Sequence, residues 1–99
     1  MVRKVIWSSS AKAEKISILK FWITNNKSFK YSKKLDLLFK EQVKLISKNP
    51  AIGHLTKQEN VRVKIIKYYL IIYELTFDVI HILSIIDGRQ DPEEINKRF

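Results

Sequence analysis

The hydrophobic period of the chain changes once, around Asn49-Pro50, and that change limits what the chain can fold into. Upstream, Ile16, Leu19, Trp22 and Ile23 recur at helical spacing, with Ile18 and Phe21 widening the stripe and Lys12, Lys15 and Lys20 outside it. The spacing predicts a helix over residues 11–25. Leu35, Leu38, Phe39, Val43 and Ile46 repeat the period and predict a second helix over residues 33–48, with Ser32 as its cap and Asn49-Pro50 as its stop. Two helices joined by so short a link imply an antiparallel hairpin. Downstream, Val61, Val63 and Ile65 alternate with Arg62, Lys64 and Ile66, and the β-branched runs beginning at Tyr69 and Val79 are too short for buried helices. They predict strands over residues 61–66, 69–75 and 79–86, joined by hairpin connections at Lys67-Tyr68 and Thr76-Phe77-Asp78.

Arg3 to Trp7 ends in β-formers and reads as a first strand, and Ser8-Ser9-Ser10 supplies hydroxyl caps for the helix that follows. Residues 51–60 follow neither period and read as a loop, while Asp91-Pro92-Glu93-Glu94 opens a short terminal helix. The order β-α-α-β-β-β is an α+β arrangement, with the hairpin packed on a sheet that holds an antiparallel meander, in one domain spanning residues 1–99. There is no internal repeat.

Charge is uneven along this frame. Nineteen basic against ten acidic side chains give a net charge of +9, and residues 1–34 hold nine of the cations against Glu14 alone. Such a balance attracts a polyanion or an acidic protein, and the first third should make that contact. The absence of Cys excludes a disulfide framework, a thiolate metal site and a cysteine nucleophile. No run approaches the ~18 apolar residues of a membrane span, and the expectation is a soluble, cytoplasmic chain.

Five pieces then fall in order on these elements: Asn49-Pro50-x-x-Gly53, Asn60-Val61-Arg62-Val63-Lys64-Ile65, Tyr69-Leu70-Ile71-Ile72-Tyr73-Glu74, Ile82-Leu83, and Asp87-Gly88-Arg89-Gln90-Asp91-Pro92. Together they resemble the RelE/ParE superfamily of bacterial type II toxins. The resemblance implies a growth inhibitor neutralised by a cognate antitoxin, with no cofactor. RelE-like members cut messenger RNA on the ribosome and place an Arg after the central-strand Tyr, with a Tyr or His near the C-terminus. Here Leu70 stands at that Arg position, and the tail after Arg89 holds neither Tyr nor His. The Gly88-Arg89-x-Asp91-Pro92 ending looks more like ParE, whose members act on DNA gyrase. The alternatives are a RelE-like mRNA interferase and a non-toxic relative that only binds its antitoxin.

Phosphodiester cleavage needs a base for the 2′-hydroxyl, an acid for the leaving oxygen and cations for the transition-state charge. His54, Arg62, Lys64 and Arg89 are the catalytic candidates, and Arg62, Lys67 and Arg89 the candidates for target or antitoxin contact. Each has a plainer reading. Arg89 can pair with Asp87 or Asp91, Arg62 alternates with core residues and faces away from them, and His54 lies in a polar loop. His81 shares strand parity with Val79, Leu83 and Ile85, which suits a core or sheet-edge histidine. Tyr69 and Tyr73 share a strand face and serve either helix packing or base stacking, and Trp7 and Trp22 belong to the core.

Overall fold

The computed structural model describes residues 3–26 and 28–89. The elements are β1 (Lys4–Trp7), α1 (Ser9–Asn26), α2 (Phe29–Lys48), a 3-10 turn (Pro50–Ile52), β2 (His54–Leu55), β3 (Val61–Ile66), β4 (Tyr69–Thr76) and β5 (Val79–Asp87). The five strands form one sheet in the order β1-β5-β4-β3-β2. The expected meander is present, β3, β4 and β5 pairing antiparallel in sequence. The sheet as a whole is mixed, because β1 pairs parallel with β5, Lys4 opposite Val79 and Trp7 opposite Ile82. The helical hairpin is the crossover that a parallel neighbour requires.

Both helices start earlier than periodicity alone indicates. Ser8 caps α1, its hydroxyl accepting from the Ala11 N–H at 2.9 Å, so Ser9 and Ser10 lie inside the first turn. Ser28 caps α2, and Ser32 is instead a buried residue within the helix whose hydroxyl donates to the Leu19 carbonyl at 3.1 Å. A small side chain there lets the two helices approach, a role that no helix-start signal distinguishes from a cap. Part of the expected 51–60 loop is ordered as the 3-10 turn and as β2, which adds an edge strand with His54 opposite Val63 and Leu55 opposite Arg62. The expected terminal helix from Asp91 lies outside the described residues.

One sheet face packs on the hairpin. Leu35, Phe39, Val43 and Ile46 from α2 meet Ile66, Tyr69, Ile71, Tyr73, Ile80, Ile82 and Ile85 in a single buried cluster, with Trp7 and Trp22 at its margin. Burial of one such side chain stabilises by about 1.5–3 kcal/mol. The Phe39 and Tyr69 rings cross edge to face at 5.8 Å. Val61, Ile72 and Ile86 cluster with Val63, Leu70 and Leu83 on the other face. Arg62 does alternate with Val61 and Val63, but the face it takes is the helix-packed one, opposite Tyr73.

A bulge breaks the parity of β5. Ile72 pairs with Ser84 and Tyr73 with Ile82, leaving Leu83 without a cross-strand partner. Beyond this extra residue Ile85 joins the helix-side core, while Leu83 joins the opposite cluster, so His81 does not share a face with Ile85. The start of the hairpin bonds the backbone of β5 beyond the end of β1. The Ser8 hydroxyl donates to the Leu83 carbonyl at 2.9 Å, and one oxygen of Glu14 accepts from the Ser84 hydroxyl at 2.8 Å and from the Ile85 N–H at 3.2 Å.

An ionic contact joins the helices. Asp36 lies 3.2 Å from the Lys15 ammonium of α1 and 3.3 Å from Lys40 one turn on. Burial pushes its carboxyl up, but the hydrogen bonds and charges of Lys15 and Lys40 together outweigh burial and hold it below the usual carboxylate range. Its folded value lies under its unfolded one, so its contribution is present above the unfolded value of about 3.9 and is lost as pH falls through the folded value. Urea midpoints measured from about pH 5 down to about pH 2 should fall less steeply for Asp36→Asn than for the parent chain. Parallel acid limbs would contradict this account.

Candidate functional site

The residues between α2 and β2 are held by two side chains from the middle of the sheet. Tyr73 is fully buried, and its hydroxyl donates to the Pro50 carbonyl at 2.6 Å and accepts from the Gly53 N–H at 2.9 Å. Burial raises its pKa, the Gly53 hydrogen bond and the charge of Arg62 opposing. Arg62, opposite Tyr73 on β3, donates to the Gly53 carbonyl at 2.8 Å and reaches the Ala51 carbonyl at 3.4 Å. Gly53 has to be glycine because a Cβ there would overlap the Tyr73 hydroxyl and ring. The Asn49-Pro50-x-x-Gly53 motif, Arg62 and Tyr73 are therefore parts of one backbone clamp.

The other end of the sheet is built differently. β3 turns into β4 through Lys67, at φ 58°, and Tyr68. The Gly88 N–H donates to the Tyr68 carbonyl at 2.6 Å and brings Arg89 back over the Tyr68 ring, its guanidinium carbon 4.9 Å from the centroid. Arg89 pairs with Asp87, Nε at 3.0 Å from Oδ1 and Nη2 at 2.8 Å from Oδ2, while the other acidic candidate, Asp91, lies outside the described residues. Hydrogen bonds from Arg89 hold the Asp87 carboxyl below its ordinary range. The Arg89 side chain remains 55% exposed, so one guanidinium edge is braced while the rest faces outward. Beside it lies a shallow groove of about 190 Å³ lined by Ser17, Ile18, Phe21, Tyr69, Asp87 and Arg89. Trp22 donates its indole N–H to the Tyr69 hydroxyl at 2.7 Å and so fixes the groove floor.

The catalytic candidates are not gathered. His54 lies opposite Val63 and so shares a face with it, whereas Arg62 and Lys64 take the opposite face of β3. Three strand spacings, about 14 Å, separate His54 on β2 from His81 on β5, where His81 faces Glu74. Lys67 and Arg89 share one sheet end, and Arg62 lies five residues back along β3, about 16 Å away. Tyr69 and Tyr73 are buried against the hairpin, so packing accounts for both. Among the described residues no group of three His, Asp or Glu could hold a metal ion, and no helix is long and apolar enough to cross a membrane. Sequence reasoning passed over Tyr68 and Phe21, which are 52% and 49% exposed beside Arg89. Only the hairpin turn and the hairpin helix together bring them to the arginine.

The family model for the ParE toxin of the type II toxin-antitoxin system parDE matches residues 5–92. The chain belongs to the ParE toxin family. That match takes in the clamp, the Arg89 end and all five motif pieces. Among solved structures, a chain of the chromosomal ParDE TA system from P. aeruginosa superposes with a TM-score of 0.73 at 18% identity, covering 87% of this chain and 96% of that one. At that identity the likeness concerns the ParE-type fold. No curated protein sequence matches.

The clamp gives the ParE-type domain a measurable signature. Tyr73→Phe removes the hydroxyl from two backbone partners at once, and leaving them unpaired should cost about 1–3 kcal/mol in denaturant unfolding. Amide exchange should accelerate at residues 51–55 well before β4 and β5 lose protection. A variant as stable as the parent, with unchanged exchange at Gly53, would refute the clamp.

Proposed function

We propose that this ParE-family toxin is neutralised by a cognate antitoxin and acts on DNA gyrase by binding it, not by cutting RNA. The observation that carries this reading is the separation of the candidate groups. Arg62 is occupied by loop carbonyls, His54 faces the other side of the sheet, and Leu70 stands where RelE-like ribonucleases place a cation. A donor aimed at transition-state charge is typically worth ~10²–10³ in rate, so a ribonuclease assembled from these positions would be severely impaired. A binding toxin needs no acid-base pair. Lys67, Tyr68, Phe21 and the braced Arg89 instead offer a half-exposed cationic and aromatic end of the kind that anchors protein interfaces.

Expressed without antitoxin, the protein should trigger a DNA-damage response and inhibit supercoiling by purified gyrase. Arg89→Ala should weaken both effects, and His54→Ala should leave them intact. Translation arrest with mRNA cut at ribosome-bound codons, abolished by His54→Ala, would reverse the assignment to the interferase alternative. An inert but antitoxin-binding chain would support the non-toxic relative.

For the antitoxin, an acidic amphipathic segment suits the hairpin and sheet. A groove of about 400 Å³ beside α2, lined by Tyr31, Leu35, Leu37 and Leu38 with Lys34, Glu41 and Lys67 at its margin, supplies apolar anchors next to cations. Titration against the product of the adjacent reading frame should show tight binding whose association rate falls as salt rises. Absence of binding at low salt would contradict the pairing.

A further inference from the structure

The structure moves the positive charge from where the sequence concentrates it. On α2 the buried Leu35, Phe39, Val43 and Ile46 define the core side, and Lys30, Leu37, Glu41, Lys44 and Lys48 fall opposite them in a strip about 60° wide. Lys33, Lys34 and Lys40 flank that strip, and all six lysines are exposed. Glu41 is the one acid of the strip. Asp36, the other carboxylate of α2, is turned into the helix seam between Lys15 and Lys40. The outward side of α1 is different in kind: Ala13, Ile16, Ser17 and Thr24 with Lys20 as its cation.

We propose that the lysine strip of α2 is a docking surface for duplex DNA. Lys30 to Lys48 spans about 27 Å of straight helix, a rigid line of positive charge that matches a rigid linear polyanion. A single-stranded partner is favoured where aromatic rings lie between the cations to stack bases, and this strip has none, Phe29 lying to one side of it at the helix start. An acidic protein needs apolar anchors, and these, Tyr31, Leu35, Leu37 and Leu38, line the groove on the flank, Leu37 being the one that also lies in the strip. Phosphate contact by lysine carries affinity without sequence preference. This surface is separate from the Arg89 end, so the toxin can hold DNA while that end is engaged elsewhere.

The test is fluorescence anisotropy of the purified protein alone with a labelled DNA duplex of about 20 base pairs, between about 50 and 200 mM salt. No gyrase is present, so the result is independent of the gyrase reading. Four or five phosphate contacts predict a slope of log K against log salt of about −4. The triple variant Lys30→Glu, Lys44→Glu, Lys48→Glu should reduce that slope by about 3 and weaken binding at least tenfold. A control triple with the same charge change, Lys4→Glu, Lys20→Glu, Lys57→Glu, should keep the slope within about one unit. Circular dichroism establishes that both variants are folded. Equal losses in the two variants would reduce the effect to net charge, and no binding at the lowest salt would overturn the proposal outright. Tighter binding to the single strand than to the duplex, or competition by poly-glutamate as effective per charge as DNA, would also overturn it.

Discussion

The fold depends on how the bulge in β5 is satisfied. One extra residue, Leu83, lets Ile80, Ile82 and Ile85 all face the hairpin, and beyond Ile82, where β1 has ended, the Leu83 carbonyl and the Ile85 N–H find their partners on side chains. Ser8 answers the carbonyl, and Glu14, in the second turn of α1, answers the N–H of Ile85 and the hydroxyl of Ser84. Ser8 also gives its own N–H to the Ile82 carbonyl and caps α1, so one residue ends the parallel strand and starts the helix. The direction of α1 across the sheet, and with it the placement of α2, follows from this junction. Glu14, the only acid in a strongly basic N-terminal third, is thereby committed to holding the sheet.

The same principle governs the residues that first attract functional interest. A cation on a strand is free for a target only if the nearby backbone does not claim it, and at Arg62 the carbonyls of the 50–53 turn do. That turn has no ladder of its own, and Tyr73 and Arg62 together take its polar groups. Arg89 is held by Asp87 along one edge and by Tyr68 along its face, which fixes its orientation without burying it. The two arginines are thus similar in the sequence and opposite in consequence. One ties down backbone, and the other is braced outward.

Electrostatics divides the surface along similar lines. Pairing of Asp36 in the helix seam and of Glu14 at the bulge removes two of the few acids near the hairpin from the outside, which leaves the solvent side of α2 more positive than its composition indicates. Two distinct surfaces result, a lysine line along α2 and a smaller arginine and aromatic end beside the β3–β4 turn.

Sequence alone determined the order of the first strand, the two helices and the three-strand meander, because helical and strand periods are local and the switch at Asn49-Pro50 is sharp. It also determined the family, since motif pieces at fixed spacing survive without three-dimensional information. Tertiary structure decided what periodicity cannot encode. Ser32 and Ser28 look alike as caps until the packing of α1 on α2 shows which one is buried. The parity of His81, Leu83 and Ile85 reads as one face until the bulge breaks it. The parallel placement of β1, the addition of β2 and the opposite faces of His54 and Arg62 depend on pairing between segments far apart in the chain. Local sequence carries no signal for such pairings, because the hydrogen bonds and burial that select them exist only once the distant strand is in place.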